Sequence, residues 1–185
     1  MLIDVPELET RRLRLRRWRT ADLEPFAALN ADREVVRYLS GTPLTREQSD
    51  ALAGQIVQHF EDHGFGLWAV EVKDEAPMAG FIGLSYPYSL PEVMPTVEVG
   101  WRLARDKWGR GLASEGAAEC LQFAFEALGL GQVCSIYDPE NVASRRVMEK
   151  LGMHFDRDTT RPDTGGQLRV FSITGGEWAK RSRRQ

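Results

Sequence analysis

The chain has 185 residues, 42% of them hydrophobic, which suffices for one proper core and makes a single globular domain over 1–185 the expected organisation. With 28% charged residues and a formal charge of −3, it has no global positive field of the kind that gathers nucleic acid or an anionic membrane. The opening MLIDVPELETRRLRL has acids and a proline where a signal peptide needs a basic start, and no segment approaches the roughly 18 apolar residues of a membrane span.

Only two cysteines occur, Cys120 and Cys134, both inside apolar runs, which fits reduced thiols in a cytoplasmic protein. Along the chain, LRLRRW (13–18) alternates leucine with arginine, the pattern of a strand with one buried face. Thr20 and Asp22 open a helix over ADLEPFAALNAD with Pro25 in its first turn, and a short REVVRYL segment follows. Thr45 and Gln48 form a capping box for TREQSDALAGQIVQHFEDHG, with Leu52, Ile56 and Phe60 on one face and Gly64 as the stop. FGLWAVEVK, MAGFIGLSY and TVEVGWRLA read as strands, the first two joined as a hairpin through KDEAP. PYSLPEVMP, before the third, reads as an exposed apolar loop lining a ligand site. Leu112, Gly116, Cys120, Phe123, Ala124 and Leu128 then mark one face of a helix ended by Gly129 and Gly131. QVCSIYD is a strand, VASRRVMEKLG a short helix, MHFDRD and LRVFSIT two closing strands, and KRSRRQ a frayed tail.

The stretch WGRGLASEG (108–116) lies between a strand and a helix. Helix N-termini leave unpaired N–H groups carrying partial positive charge, and glycines let a phosphate approach them without striking a Cβ. Gly109, Arg110, Gly111, Leu112 and Ala113 are therefore read as a phosphate cradle. The same letters resemble G-x-G-x-x-G, but a dinucleotide fold needs those glycines directly after the first strand of a βαβ unit. Here Ala104, Arg105, Asp106, Lys107 and Trp108 intervene, after several earlier elements.

Taken with NVASRRVMEKLGM (141–153), the run TVEVGWRLARDKWGRGLASEG closely resembles the GNAT superfamily of acyl-CoA-dependent N-acyltransferases, and within it the group that acetylates ribosomal-protein N-termini. The resemblance implies an α/β fold: a central, mostly antiparallel sheet of six or seven strands, splayed at VEVGWRL and QVCSIYD and flanked by about four helices. It implies acetyl-CoA as co-substrate, with the pyrophosphate on the amides from Trp108 through Gly109, Arg110, Gly111, Leu112 and Ala113 to Ser114. Trp108 stands where the family has a polar residue. The pantetheine arm is expected along Trp101, Arg102 and Leu103 as an added strand would lie, and Asn141 and Ser144 match the motif that contacts the arm and thiol end. Asn141 also reads simply as the N-cap of its helix, and Gly100 as the glycine of a β-bulge that opens the cleft.

The chemistry implied is direct acetyl transfer from thioester to a primary amine, which must be neutral to attack. Glu98 is the expected proton acceptor, working through water; its alternative is an exposed carboxylate on an amphipathic strand. Main-chain N–H groups from Trp101 to Leu103 would polarise the thioester carbonyl. Many members of the family carry a tyrosine seven residues after the asparagine to protonate the departing thiolate, and Met148 occupies that place here. Ser144 takes the role by its match to the N-terminal-acetylating subgroup, with Tyr137 in reserve; Asp158 lies where that subgroup has a second acid.

No metal is expected: His59 and His63 are spaced i, i+4, but HFEDH lacks a glutamate directly after the first histidine. The six arginines of residues 11–19 fit a half-buried strand better than a nucleic-acid surface. The acceptor, an N-terminus or a small-molecule amine, is left open, and a homodimer is compatible with the family. The alternative is a non-catalytic acyl-CoA binding or regulatory module of the same fold.

Overall fold

The computed structural model describes residues 6–39 and 41–182. Strands β1 (Leu8–Glu9) and β2 (Leu13–Arg16) lead into helices α1 (Leu23–Ala31), α2 (Arg33–Val36) and α3 (Arg46–His63). Strands β3 (Leu67–Val72), β4 (Gly80–Ser85) and β5 (Val97–Leu103) follow, then helix α4 (Leu112–Gln122), strand β6 (Gln132–Tyr137) and helix α5 (Val142–Lys150). Strands β7 (His154–Thr160) and β8 (Gln167–Thr174) and helix α6 (Gly175–Ser182) complete the order.

All the strands join one eight-stranded sheet, ordered β1-β2-β3-β4-β5-β6-β8-β7. Every neighbouring pair is antiparallel except β5 and β6, which run parallel because helix α4 carries the chain across. The sheet exceeds the expected six or seven strands by β1, a two-residue edge strand too short to show any alternation.

Local signals account for most of these elements. The Thr45 hydroxyl accepts the Gln48 N–H at 3.2 Å, Gln48 Oε1 accepts the Thr45 N–H at 2.9 Å, and Gly64 closes α3 in the left-handed region at φ 75°. Helix α4 buries Leu112, Gly116 and Cys120 as its spacing predicts. It lies so close to the sheet that a Cβ on Gly116 would come within 2.6 Å of Ile82 and 3.2 Å of Leu13. Its last turn widens over Phe123–Ala127 into π geometry before Gly129 ends it.

Three expectations need correction. LRLRRW buries Leu13 and Leu15 on one face as expected and leaves the Arg14 side chain 39% exposed on the other, but Arg16 on that second face is only 1% exposed because Asp22, Glu71 and Pro77 surround its guanidinium. PYSLPEVMP is an exposed loop only in part: Tyr88 is 59% exposed, but Leu90 and Val93 are buried in a small second core with Cys134, Leu168 and Val170. Finally, KRSRRQ is not frayed over its first residues: α6 runs through Ser182, anchored by buried Trp178, while 183–185 lie outside the described residues. Helical periodicity in eight residues that end in a basic run is easily read as solvated tail.

Candidate active site

Strands β5 and β6 are paired only at Val97 with Val133 and Glu98 with Cys134. Beyond that point they diverge, and residues 99–103 keep β4 on one side with no strand on the other. The expected splay is present, but no bulge at Gly100 makes it: the β4–β5 register runs unshifted from Gly80 opposite Leu103 to Ser85 opposite Glu98. Instead the side chain of Glu98 occupies the fork. Its Oε1 accepts the Ile136 N–H of β6 at 3.3 Å, replacing the backbone partner that a continued ladder would supply.

Side chains alternate along a strand, so Glu98, Gly100 and Arg102 share one face of β5. Burial raises the Glu98 carboxyl to about 7, against the opposing pull of the Ile136 N–H. A Cβ at Gly100 would meet nothing within 4 Å, so the face beside Glu98 opens onto free space. Past it, the Arg102 guanidinium lies 5.2 Å over the Phe81 ring and donates to Asn30 Oδ1 at 2.6 Å. Asn30, wholly buried in α1, in turn donates to Ser49 Oγ of α3 at 2.9 Å.

At the far end of β5 the chain turns toward α4. The Trp108 indole N–H donates to the Leu103 carbonyl at 2.8 Å, so this half-exposed ring lies at the end of the strand. Gly109 and Gly111 both sit in the left-handed region, at φ 71° and 76°, a conformation that a side chain resists. Gly111 is the N-cap of α4, and no side chain caps the helix, so its first N–H groups remain available to an anion. A Cβ on Gly109 would likewise meet nothing within 4 Å. Arg12 backs this turn: it donates to the Arg110 carbonyl at 2.9 Å and pairs with Glu115 at 2.6 Å. The Arg110 guanidinium is itself held by Glu75 at 2.8 and 2.7 Å, so Arg110 can offer the cradle its backbone rather than its charge. Arg110 and Lys107 together hold Glu75 at about 2.

Helix α5 begins at the open end of β6. Asn141 Oδ1 accepts the Ser144 N–H at 3.1 Å, the N-cap expected of it. Met148 is buried in the core at 1% exposure, so its place on α5 brings no proton donor to the cleft. Tyr137 points to the sheet face opposite Glu98, packs on Phe171 and borders a shallow recess with Arg145 and Arg169. Asp158 is exposed on β7 and pairs with Arg169 at 3.3 Å. Neither residue is brought to Glu98.

Arg161, between β7 and β8, donates to the Tyr38 carbonyl at 2.6 Å and lies 3.7 Å from Asp138 at the end of β6. The histidines flagged for their spacing serve the neighbouring rim: His59 bonds the Phe65 carbonyl at 2.9 Å and the Tyr86 N–H at 3.2 Å, and His63 meets the Tyr88 hydroxyl at 2.7 Å.

A forked parallel pair beside an uncapped, glycine-led helix has counterparts among known proteins. The model of the acetyltransferase (GNAT) domain matches residues 12–154. The chain belongs to the GNAT acetyltransferase family. Among its relatives, the Bacillus subtilis protein YkkB is 33% identical over 152 residues, covering 82% of this chain and 87% of that one. The FsC-acetyl coenzyme A-N(2)-transacetylase of Aspergillus fumigatus is 30% identical, covering 95% and 79% respectively. The crystal structure of an acetyltransferase from Agrobacterium tumefaciens superposes with a TM-score of 0.79 at 25% identity, over 94% of this chain and 96% of that one.

GNAT acetyltransferases use acetyl-CoA and act on amines, and this GNAT chain has the expected α/β sheet, fork and helix order. Among the described residues, no helix is long and apolar enough to cross a membrane. Four side chains of the site escaped the sequence reading: Arg12, Asn30, Arg161 and the guanidinium of Arg102. Arg12 sits in an arginine-rich run, and Asn30 lies inside the ADLEPFAALNAD helix, where nothing local marks either side chain. Only the register that sets Arg102 opposite Phe81 brings its side chain under α1.

Proposed function

We propose that residues 1–185 form one cytoplasmic domain that transfers an acetyl group from acetyl-CoA to a primary amine, an N-terminus or a small molecule. The observation that carries this reading is the carboxyl of Glu98 in the β5–β6 fork, raised to about 7, beside the open space over Gly100. The residues present fit the cofactor. The uncapped start of α4 and the left-handed glycines leave amides and room for a pyrophosphate, contributed by Trp108, Gly109, Arg110, Gly111, Leu112, Ala113 and Ser114. The unpaired edge of β5 at Trp101, Arg102 and Leu103 can take the pantetheine arm as an added strand, and Asn141 and Ser144 at the start of α5 are assigned to contact the arm and its thiol end.

Acetyl-CoA supplies the acyl group, activated as a thioester. The protein's part is to neutralise and position the amine. Glu98, poised near neutral pH, takes the amine's proton through water, and N–H groups of Trp101 to Leu103 steady the charge that develops on the carbonyl oxygen. Ser144 is the hydroxyl of α5 assigned to return a proton to sulfur, Met148 having none to give.

Calorimetry with acetyl-CoA and thiol release over a panel of amines test this. Binding with turnover on at least one amine is the expected result. Binding without turnover on any amine would point to the non-catalytic acyl-CoA module, a reading favoured by the buried methionine at the donor position. No heat and no shift in melting temperature with acetyl-CoA or CoA would remove the cofactor assignment.

A further inference from the structure

Among the described residues, Arg102 is a cation beside the cleft whose surroundings are incomplete. Arg161 has Asp138, Arg110 has Glu75 and Arg12 has Glu115. Arg102 is partly buried under α1, and among the described residues no carboxylate pairs with it. Among the described residues its side chain bonds the neutral oxygen of Asn30, and its Nε–H is buried with no acceptor. Desolvation lowers it to about 10, with no anion to oppose the shift. A guanidinium taken from water without a counter-ion is costly, and proteins complete such sites with a charge-assisted bond to carboxylate or phosphate.

Position along the strand says which molecule would bring that charge. Glu98, Gly100 and Arg102 point to one face, about 7 Å apart in turn at the rise of a β-strand. The middle position is empty space. A molecule placed there has the proton-accepting carboxyl at one end and the unpaired guanidinium at the other. Polyamines and aminoglycosides would bring further positive charge toward Arg102, where like charges repel.

We propose that the acceptor is an amine bearing a carboxylate a few bonds from its nitrogen, an amino acid or a close analogue, and that the side chain of Arg102 binds that carboxylate. The inference rests on the acetyltransferase reading above and narrows it. Asn30, itself fixed by Ser49, holds one N–H of the guanidinium, leaving its remaining N–H groups for the ligand. The backbone of Arg102 keeps its separate place along the pantetheine edge, so one residue would serve both substrates, main chain to one and side chain to the other.

The test compares free amino acids with their carboxamides and with the matching amines that lack the carboxyl group. Thiol release is measured at saturating acetyl-CoA, and binding of the same compounds to the CoA-bound protein is measured by calorimetry. The expected wild-type preference in kcat/KM for the acid over the amide is roughly tenfold to a hundredfold, the worth of a charge-assisted bond. Arg102→Gln should bring that ratio close to one in both rate and binding, and Arg102→Lys, which keeps the charge and guards against misfolding, should retain part of it. Equal use of acids and amides by the wild type, or a preference that survives in Arg102→Gln, overturns the inference while leaving the acetyltransferase reading in place. Failure to acetylate any amine overturns both.

Discussion

Arg16 and Arg102 lie in one row across the sheet. Arg16 is opposite Ala69, Ala69 is opposite Phe81 and Phe81 is opposite Arg102, so both side chains emerge on the same face. Their surroundings differ. Arg16 meets both oxygens of Asp22 at 2.8 Å, Glu71 at 3.2 Å and the Pro77 carbonyl. Arg102 has Asn30 and a buried Nε–H with no acceptor. A cation completed by its own chain is part of the fold; one that the fold leaves incomplete, at the edge of a cleft, points to something that comes from outside.

The sharpest break of this contrast is Asp22→Ala. It breaks the bidentate buried pair and leaves the Arg16 charge with Glu71 alone, and should cost about 3 kcal/mol, read as a fall in the urea midpoint. If the variant unfolds like the wild type, Arg16 is not held as described.

Glu98→Gln probes the other incomplete group and should move stability and activity in opposite directions. The carboxyl is raised from 4.5 to about 7, so its favourable share of stability is full below about pH 4.5 and is lost as pH rises through 7. The glutamine variant should therefore gain on the wild type between about pH 5 and pH 8, by about 1–3 kcal/mol in thermal melts at the upper end. Turnover should drop about a hundredfold or more, and the rise of kcat/KM near neutral pH should vanish. A melting difference that does not change with pH counts against the burial of this carboxyl.

Arg102→Met, without ligand, should cost less than Asp22→Ala, about 1–2 kcal/mol. It leaves Asn30 Oδ1 short of a donor but also removes a desolvated charge that nothing neutralises. A loss as large as that of Asp22→Ala would mean that Arg102 belongs to the fold as fully as Arg16 does. The smallest effect is expected at a purely local feature: Thr45→Ala removes the α3 cap for about 1 kcal/mol, with no change in acceptor preference.

The elements were legible wherever a local rule forced them. Thr45, Gln48 and Gly64 bound α3 by hydrogen bonds within a few residues, and the spacing from Leu112 to Leu128 sets the buried face of α4 whatever that helix packs on. The glycine-led start of α4 was legible for the same reason, since left-handed backbone and an open approach are properties of Gly109 and Gly111 themselves. Less was visible where partners are distant. Arg16 looked solvated because Glu71 and Pro77 are far along the chain, and PYSLPEVMP looked exposed because the surface that buries Leu90 and Val93 is built by β6 and β8.

The sequence by itself therefore determined the four longer helices, most of the strands and the anion-binding turn, because short-range hydrogen bonds and side-chain periodicity dictate them; α2 and α6, which raise the helix count from the expected four to six, were not legible. Tertiary structure alone decided that β5 and β6 part after Glu98, that its carboxyl takes the Ile136 N–H, and that Arg102 is partly buried with no acid paired to it among the described residues. Burial, field and missing partners are properties of the space around a group, and that space exists only once distant strands have met.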